Sequence, residues 1–251
     1  MIGGLLVVGA HPDDEVLIAG GTLAACAAAG LPTGVVCLTR GEQGPISDPA
    51  LATRETLADV RCAELQAACT ELGVKFVKCY RRGDGNLSAS AGGGVVRQLA
   101  RILEARRPDA VITFGEDGLY WHPDHIATHE FVRRAVRRVP GGPELYRSVW
   151  PERLMTELFD ELRRRGLPSD LWDIPPEDFG TDDLDGSFAL DVRRFAQRKL
   201  RALHAHRTQI SAAHAFAALG AELAERFFGV ERFAPIDGTG RGWLQQAVAN
   251  A

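Results

Sequence analysis

Lysine is scarce in this 251-residue chain, which carries it only at positions 75, 78 and 199. Arginine supplies the rest of the positive charge, and acidic residues still outnumber basic ones, leaving a formal net charge of −4. That balance offers no basic field to nucleic acid or to an anionic membrane. The arginine bias reads as GC-rich coding rather than phosphate binding. No stretch reaches the ~18 apolar residues of a membrane helix. The start, Met1-Ile2-Gly3-Gly4, lacks the positive flank of a signal peptide. A soluble, cytoplasmic protein is expected. Cysteines 26, 37, 62, 69 and 79 are odd in number and contain no C-x-x-C pair. This argues against a cysteine metal site or nucleophile and for buried, reduced thiols. Nucleotide-binding signatures are missing too. A dinucleotide fold wants G-x-G-x-x-G after its first strand, whereas this chain has Gly9-Ala10-His11-Pro12-Asp13-Asp14, whose carboxylates would repel a pyrophosphate.

What is present is a full hydrophobic complement, 45% of residues, arranged in short apolar runs that alternate with helical ones. Strands are expected at 4–9, 35–38, 74–80 and 110–114. Helices are expected at 15–29, 54–72 and 95–106, and again after His122. A glycine-rich loop spans Arg81 to Gly94. The β-α-β-α order predicts an α/β fold with a mostly parallel sheet and helices on both faces. Beyond Pro140-Gly141-Gly142-Pro143 the pattern weakens to a helix at 151–166, a late strand at 187–191 and a helix at 192–206. With no repeat and no long linker, residues 1–251 are expected to form one domain, a core of about 1–150 and a C-terminal elaboration of about 151–251. The acidic, proline-containing segment 168–186, with Trp172 near its start, is either a lid or a solvated connection, and the connection is the favoured reading.

Two turns carry the chemistry. Ala10-His11-Pro12-Asp13-Asp14-Glu15 follows the first strand, and His122-Pro123-Asp124-His125 lies beyond the fourth. Asp-rich turns routinely cap helices, but two such turns, each after a buried strand, point to a metal site closed from both sides. A catalytic zinc takes three His or carboxylate ligands and leaves one position open. His11, Asp14 and His125 could supply them. Asp13 is then left as general base and His122 as acid or oxyanion partner. His129, four residues after His125, lacks the Glu of H-E-x-x-H. It is expected behind the ligands or on the surface.

These two motifs together resemble the LmbE-like/PIG-L zinc N-deacetylases. Further segments fit the resemblance: Thr39-Arg40-Gly41-Glu42-Gln43-Gly44, the helix segment Arg61-Cys62-Ala63-Glu64-Leu65, and Lys199 to Gln209 with His206. The likeness covers residues 5 to about 138 well and 185–210 loosely. It implies a Rossmann-like three-layer sandwich, one Zn2+ per chain (Fe2+ or another divalent ion being the alternative), and removal of acetyl groups from amino sugars. It matches His11, Asp14 and His125 to the metal ligands, Asp13 to the base, and His122 to a second catalytic histidine oriented by Asp124. Tyr120 falls where some members place a tyrosine near the tetrahedral oxygen. Arg61 and Asp84 fall near sugar-binding positions, and Glu42 is expected with them. Trp121 stands where the family commonly has glycine, and its indole would narrow the pocket, stack on a sugar or pack in a lid. The expected partner is a small N-acetylated amino-sugar conjugate, with no nucleic acid and no membrane; a homo-oligomer is left open. An amidase for a longer acyl or thiol-conjugate amide is the alternative enzyme. A metal-dependent binding protein without turnover fits less well, because Asp13 and His122 are both present.

Overall fold

A computed structural model describes residues 3–89 and 92–251. Met1-Ile2 and the Ser90-Ala91 part of the expected glycine-rich loop lie outside the described residues. The first half alternates strand and helix: β1 (Leu5–Gly9), α1 (Asp14–Ala28), β2 (Thr33–Cys37), α2 (Leu57–Leu72), β3 (Phe76–Cys79), α3 (Gly93–Arg106) and β4 (Ala110–Thr113). A single irregular turn, α4 (Gly118–Trp121), then precedes α5 (Pro123–Val136) and β5 (Glu144–Val149). The second half adds α6 (Glu152–Arg164), β6 (Phe188–Asp191), α7 (Ala196–His204), α8 (Ala221–Phe228), β7 (Val230–Pro235) and α9 (Trp243–Ala249).

The seven strands pair in the order β3-β2-β1-β4-β5-β7-β6. β1 to β5 are parallel, while β7 runs antiparallel to both β5 and β6. A parallel sheet covered on both faces buries its strands from end to end, which is why they read as unbroken apolar runs. Val7, Val8, Val35, Val36, Val111 and Ile112 are all buried. Helices cover both sides of the sheet, α1 packing with α2 and α7, and α3 with α5. The strand order reverses between β1 and β4, so the crevice at their carboxyl ends is the topological switch point where such sheets place ligands. Both His/Asp motifs open there.

The expected strands and helices of the first half are present with small shifts at their ends. The second half holds more than its pattern shows: β5, β7, α8 and α9 carry polar residues that hide their periodicity. Glu144 of β5 is buried because it accepts hydrogen bonds from the Tyr146 hydroxyl and the Arg241 and Trp243 amides. Glu231 of β7 is buried for a different reason. α1 breaks at Ala19, with φ −159° and ψ 21°. Glu231 accepts the Gly21 and Thr22 amides beyond the break, each at 2.8 Å. Lys199 donates to the Leu17 carbonyl before it at 3.3 Å and to Glu231 at 2.7 Å. One ion pair thus satisfies the backbone groups that the break leaves open.

Candidate metal centre

The turn after β1 is built around Asp14. Its Oδ2 accepts the amides of Ala10 at 2.8 Å and His11 at 2.7 Å, which leaves Oδ1 facing His125 Nε2 at 3.2 Å. Gly9 permits this approach, because a Cβ there would lie 2.8 Å from Asp14 Cβ. Burial alone would raise the Asp14 pKa, but His125, His11 and the turn amides hold it well below the usual carboxylate range.

His125 comes from the other motif. Phe114, just beyond β4, stacks on its ring at 4.0 Å and 5°. His125 Nδ1 lies 3.0 Å from the Gly118 carbonyl, so it carries the proton and Nε2 presents its lone pair. His11 Nε2 faces carboxylates, 3.0 Å from Asp84 and 3.4 Å from Asp124, as ion-pair contacts rather than aligned hydrogen bonds. The proton therefore belongs on Nε2, and Nδ1 points at His125 Nε2, 3.2 Å away. Two ring nitrogens, which offer lone pairs once both imidazoles are neutral, and a carboxylate oxygen converge on one point. The ligand atoms of His11, Asp14 and His125 lie within 4.8 Å of one another, and all three residues are buried. Such a donor set fits a divalent cation. Burial opposes charge on His11, yet Asp124, Asp84 and Asp14 lift its pKa to about 10, and a field that retains a proton this strongly also favours a metal ion.

Asp13 sits beside this group with φ 117°. Its amide donates to Glu15 Oε2 at 3.0 Å, and Glu15 Oε1 meets His206 Nε2 at 2.9 Å. Its carboxylate pairs with Arg61 at 3.0 Å. Burial pushes the Asp13 pKa up to about 6; Arg61 pulls against that and Asp14 adds to it. Arg61 also donates to the carbonyls of Pro12 at 2.7 Å and Gly41 at 2.8 Å, while its buried Nε has no partner among the described residues. Gly41, at φ 64°, gives the guanidinium room: a Cβ there would approach it to 2.3 Å.

His122 caps α5, its Nδ1 accepting the Asp124 amide at 3.2 Å. Burial, His125 and His11 lower its pKa to about 4. Tyr120 packs edge-on against His125 at 5.2 Å and near Phe179 at 4.9 Å. Burial, then Asp14 and Asp13, raise its pKa well above 10. The sugar-side expectation Asp84 accepts the Gln43 amide at 2.7 Å. A cavity of about 320 Å3 opens over these groups, lined by His11, Asp13, Asp14, Arg61, Asp84, Tyr120 and His122, with Leu17, Trp172 and Ile174 as apolar wall.

Four expectations differ in detail. Asp124 reaches His122 through its amide, whereas its carboxylate accepts the Gly85 and Leu87 amides and faces His11. Glu42 does not line the cavity; it accepts the Asp84 amide at 3.2 Å and braces that loop. Trp121 does not line it either; its φ of 61° turns the side chain outward, 68% exposed. Segment 168–186 is not a solvated connection throughout: Leu171 and Phe179 are buried, Gly180 N donates to the Leu119 carbonyl at 2.8 Å, and Trp172 and Ile174 face the cavity. His129 is buried against the Phe114 carbonyl at 2.9 Å, outside the ligand group. Sequence reasoning missed Glu15, whose only signal was its place in the motif, and Gln209 as a cavity residue.

Fold and centre define a Rossmann-like α/β protein with a buried His-Asp-His group at its switch point. The chain belongs to the PIG-L family, described as GlcNAc-PI de-N-acetylase, whose model matches residues 6–136. It is 34% identical to the 1D-myo-inositol 2-acetamido-2-deoxy-alpha-D-glucopyranoside deacetylase of Acidothermus cellulolyticus, over 95% of this chain and 90% of that one. The enzyme of the same name from Mycolicibacterium smegmatis is 32% identical, over 98% and 96%. Among solved structures, the A40926 pseudoaglycone deacetylase superposes with a TM-score of 0.64 at 21% identity, over 96% and 99%, and so supports the fold.

Proposed function

We propose that this protein is a zinc-dependent hydrolase that removes the N-acetyl group from a small amino-sugar conjugate, releasing acetate and a free amine. The observation that carries this reading is the convergence of His11, Asp14 and His125 on one point, with the Asp13 carboxylate beside it in the same cavity. The named activity of the two deacetylases of similar sequence supports it. His11, Asp14 and His125 would hold the zinc, which when bound supplies Lewis acidity to water and to an amide carbonyl.

The chain's own groups supply the rest. Asp13, fixed by Arg61 and by Glu15, takes the proton of the attacking water. His122 has its Nδ1 occupied by the Asp124 amide and sits at the positive end of α5, which disfavours the imidazolium. It therefore donates from Nε2 to the developing oxyanion, together with the Tyr120 hydroxyl. Asp13 returns its proton to the leaving amine. Arg61 Nε and Asp84 bind the sugar hydroxyls. The residues from both halves around the cavity, Trp172 and Gln209 included, support one functional unit over 1–251. Among the described residues no helix is long and apolar enough to cross a membrane, which suits a small-molecule substrate.

Acetate release from a panel of N-acetylglucosaminyl conjugates, run beside N-butyryl and N-hexanoyl analogues, tests the reading. Preference for acetyl supports it. Preference for the longer acyl groups would replace it with the longer-amide hydrolase.

A further inference from the structure

The five cysteines divide into two classes. Cys26, Cys37 and Cys69 are fully buried, and burial first of all raises all three thiols, Cys26 to about 12. Cys62 and Cys79 are only half-buried, and their sulfur atoms lie 2.9 Å apart. Cys62 lies in the first half of α2, directly after Arg61. Cys79 ends β3, which is the edge strand of the sheet. The Cys79 thiol reaches the Thr39 carbonyl at 3.2 Å, and the chain beyond it leads to Asp84.

We propose that Cys62 and Cys79 form a reversible intramolecular disulfide, a modification site for low-molecular-weight disulfides at the edge of the sheet. Bringing the sulfurs from 2.9 Å to the bonded separation of ~2.05 Å requires less than an ångström of movement. The oxidant is a small disulfide, RSSR. The Cys62 thiolate attacks one of its sulfurs, forming the mixed disulfide and releasing RSH with the proton that Cys62 gave up. Cys79 then attacks Cys62 Sγ, its proton leaving with the second RSH. Two thiols are oxidised, one disulfide is reduced to two RSH, and no other reactant is needed. Cys62 is the better first nucleophile: the hydrogen bond with Cys79 lowers its pKa against burial, and Arg40 and Arg61 assist.

The bond would tie α2, beside Arg61, to the strand that leads into the Asp84 loop. Resting on the proposed deacetylase reading, the expected consequence is weaker substrate binding, because the bond ties together the two segments that carry the proposed sugar contacts Arg61 and Asp84. Folded protein is incubated with hydroxyethyl disulfide, alkylated without reduction and digested with trypsin. The expected product joins peptide 62–75 to peptide 79–81 with the loss of two hydrogens, and is absent in Cys62→Ser and in Cys79→Ser. Stable mixed disulfides, or both thiols recovered alkylated, would overturn the proposal whatever the enzyme's activity. In the cross-linked protein KM rises several-fold at unchanged zinc content and returns on reduction, while Cys62→Ser keeps its KM under oxidant. A cross-link that leaves KM unmoved would overturn its coupling to the Arg61 side of the cavity.

Discussion

Asp13 holds a backbone conformation that costs an aspartate roughly 1–3 kcal/mol, with φ 117°. Glu15 on its amide and Arg61 on its carboxylate offset that strain and fix the side chain beside the ligand group. His206, fully buried, completes the support through Glu15. Arg61 therefore has a role beyond the proposed sugar contact. A sugar contact alone would make Arg61→Ala raise KM mainly, but the structure gives Arg61 a buried partner in Asp13. Its removal strands the Asp13 charge, a loss of ~3–5 kcal/mol for a buried pair. The expected result is a fall in kcat by ~10-fold or more along with the rise in KM, and a lower urea midpoint. A variant whose kcat and midpoint match the wild type would show that Asp13 does not depend on Arg61.

At the scale of elements, the break in α1 and the segment 168–186 are the two places where regular structure is set aside. Lys199 and Glu231 close the first. Lys199→Met leaves Glu231 buried without its cation and the Leu17 carbonyl without its donor, and should cost ~3–5 kcal/mol in urea unfolding; a cost below ~1 kcal/mol would mean that the pair is dispensable. In the second, the Trp172 indole N–H donates to the Gln209 carbonyl at 3.0 Å, and its ring packs on His214 at 4.4 Å. Burial lowers the His214 pKa to about 4, from 6.5. Between those values the unfolded chain holds a proton that the folded protein does not. Stability from this group is thus complete above pH 6.5 and is lost as pH falls toward 4. Moving from pH 7 to pH 5 should cost the wild type about 2 kcal/mol more than His214→Gln. Parallel pH profiles in urea unfolding would remove His214 as the cause.

At the scale of the molecule, legibility followed burial. β1, β2 and β4 were readable because a doubly covered parallel sheet demands unbroken apolar runs, and the two motifs were readable because metal ligands have few chemical substitutes. β5 and β7 were not, since Glu144 and Glu231 are buried by hydrogen bonds to groups far away in sequence. Nor were the outward turn of Trp121 and the role of Glu42, which depend on backbone angles and loop packing that no residue pattern encodes. The site itself is a product of the whole chain. The turns beyond β1 and β4 present the proposed ligands, α2 supplies Arg61, and the second half contributes His206, Trp172 and Gln209. In the proposed reaction a His11–Asp14–His125 zinc centre and a separate Asp13 base act together on an N-acetyl group. Its most direct test measures zinc content and acetate release in the same samples of wild type and Asp13→Ala, with an N-acetylglucosaminyl conjugate as substrate. The expected result is acetate release by the wild type, and a variant that keeps its zinc while kcat falls by ~10²-fold or more. Loss of zinc in that variant, or an undiminished rate, would contradict it.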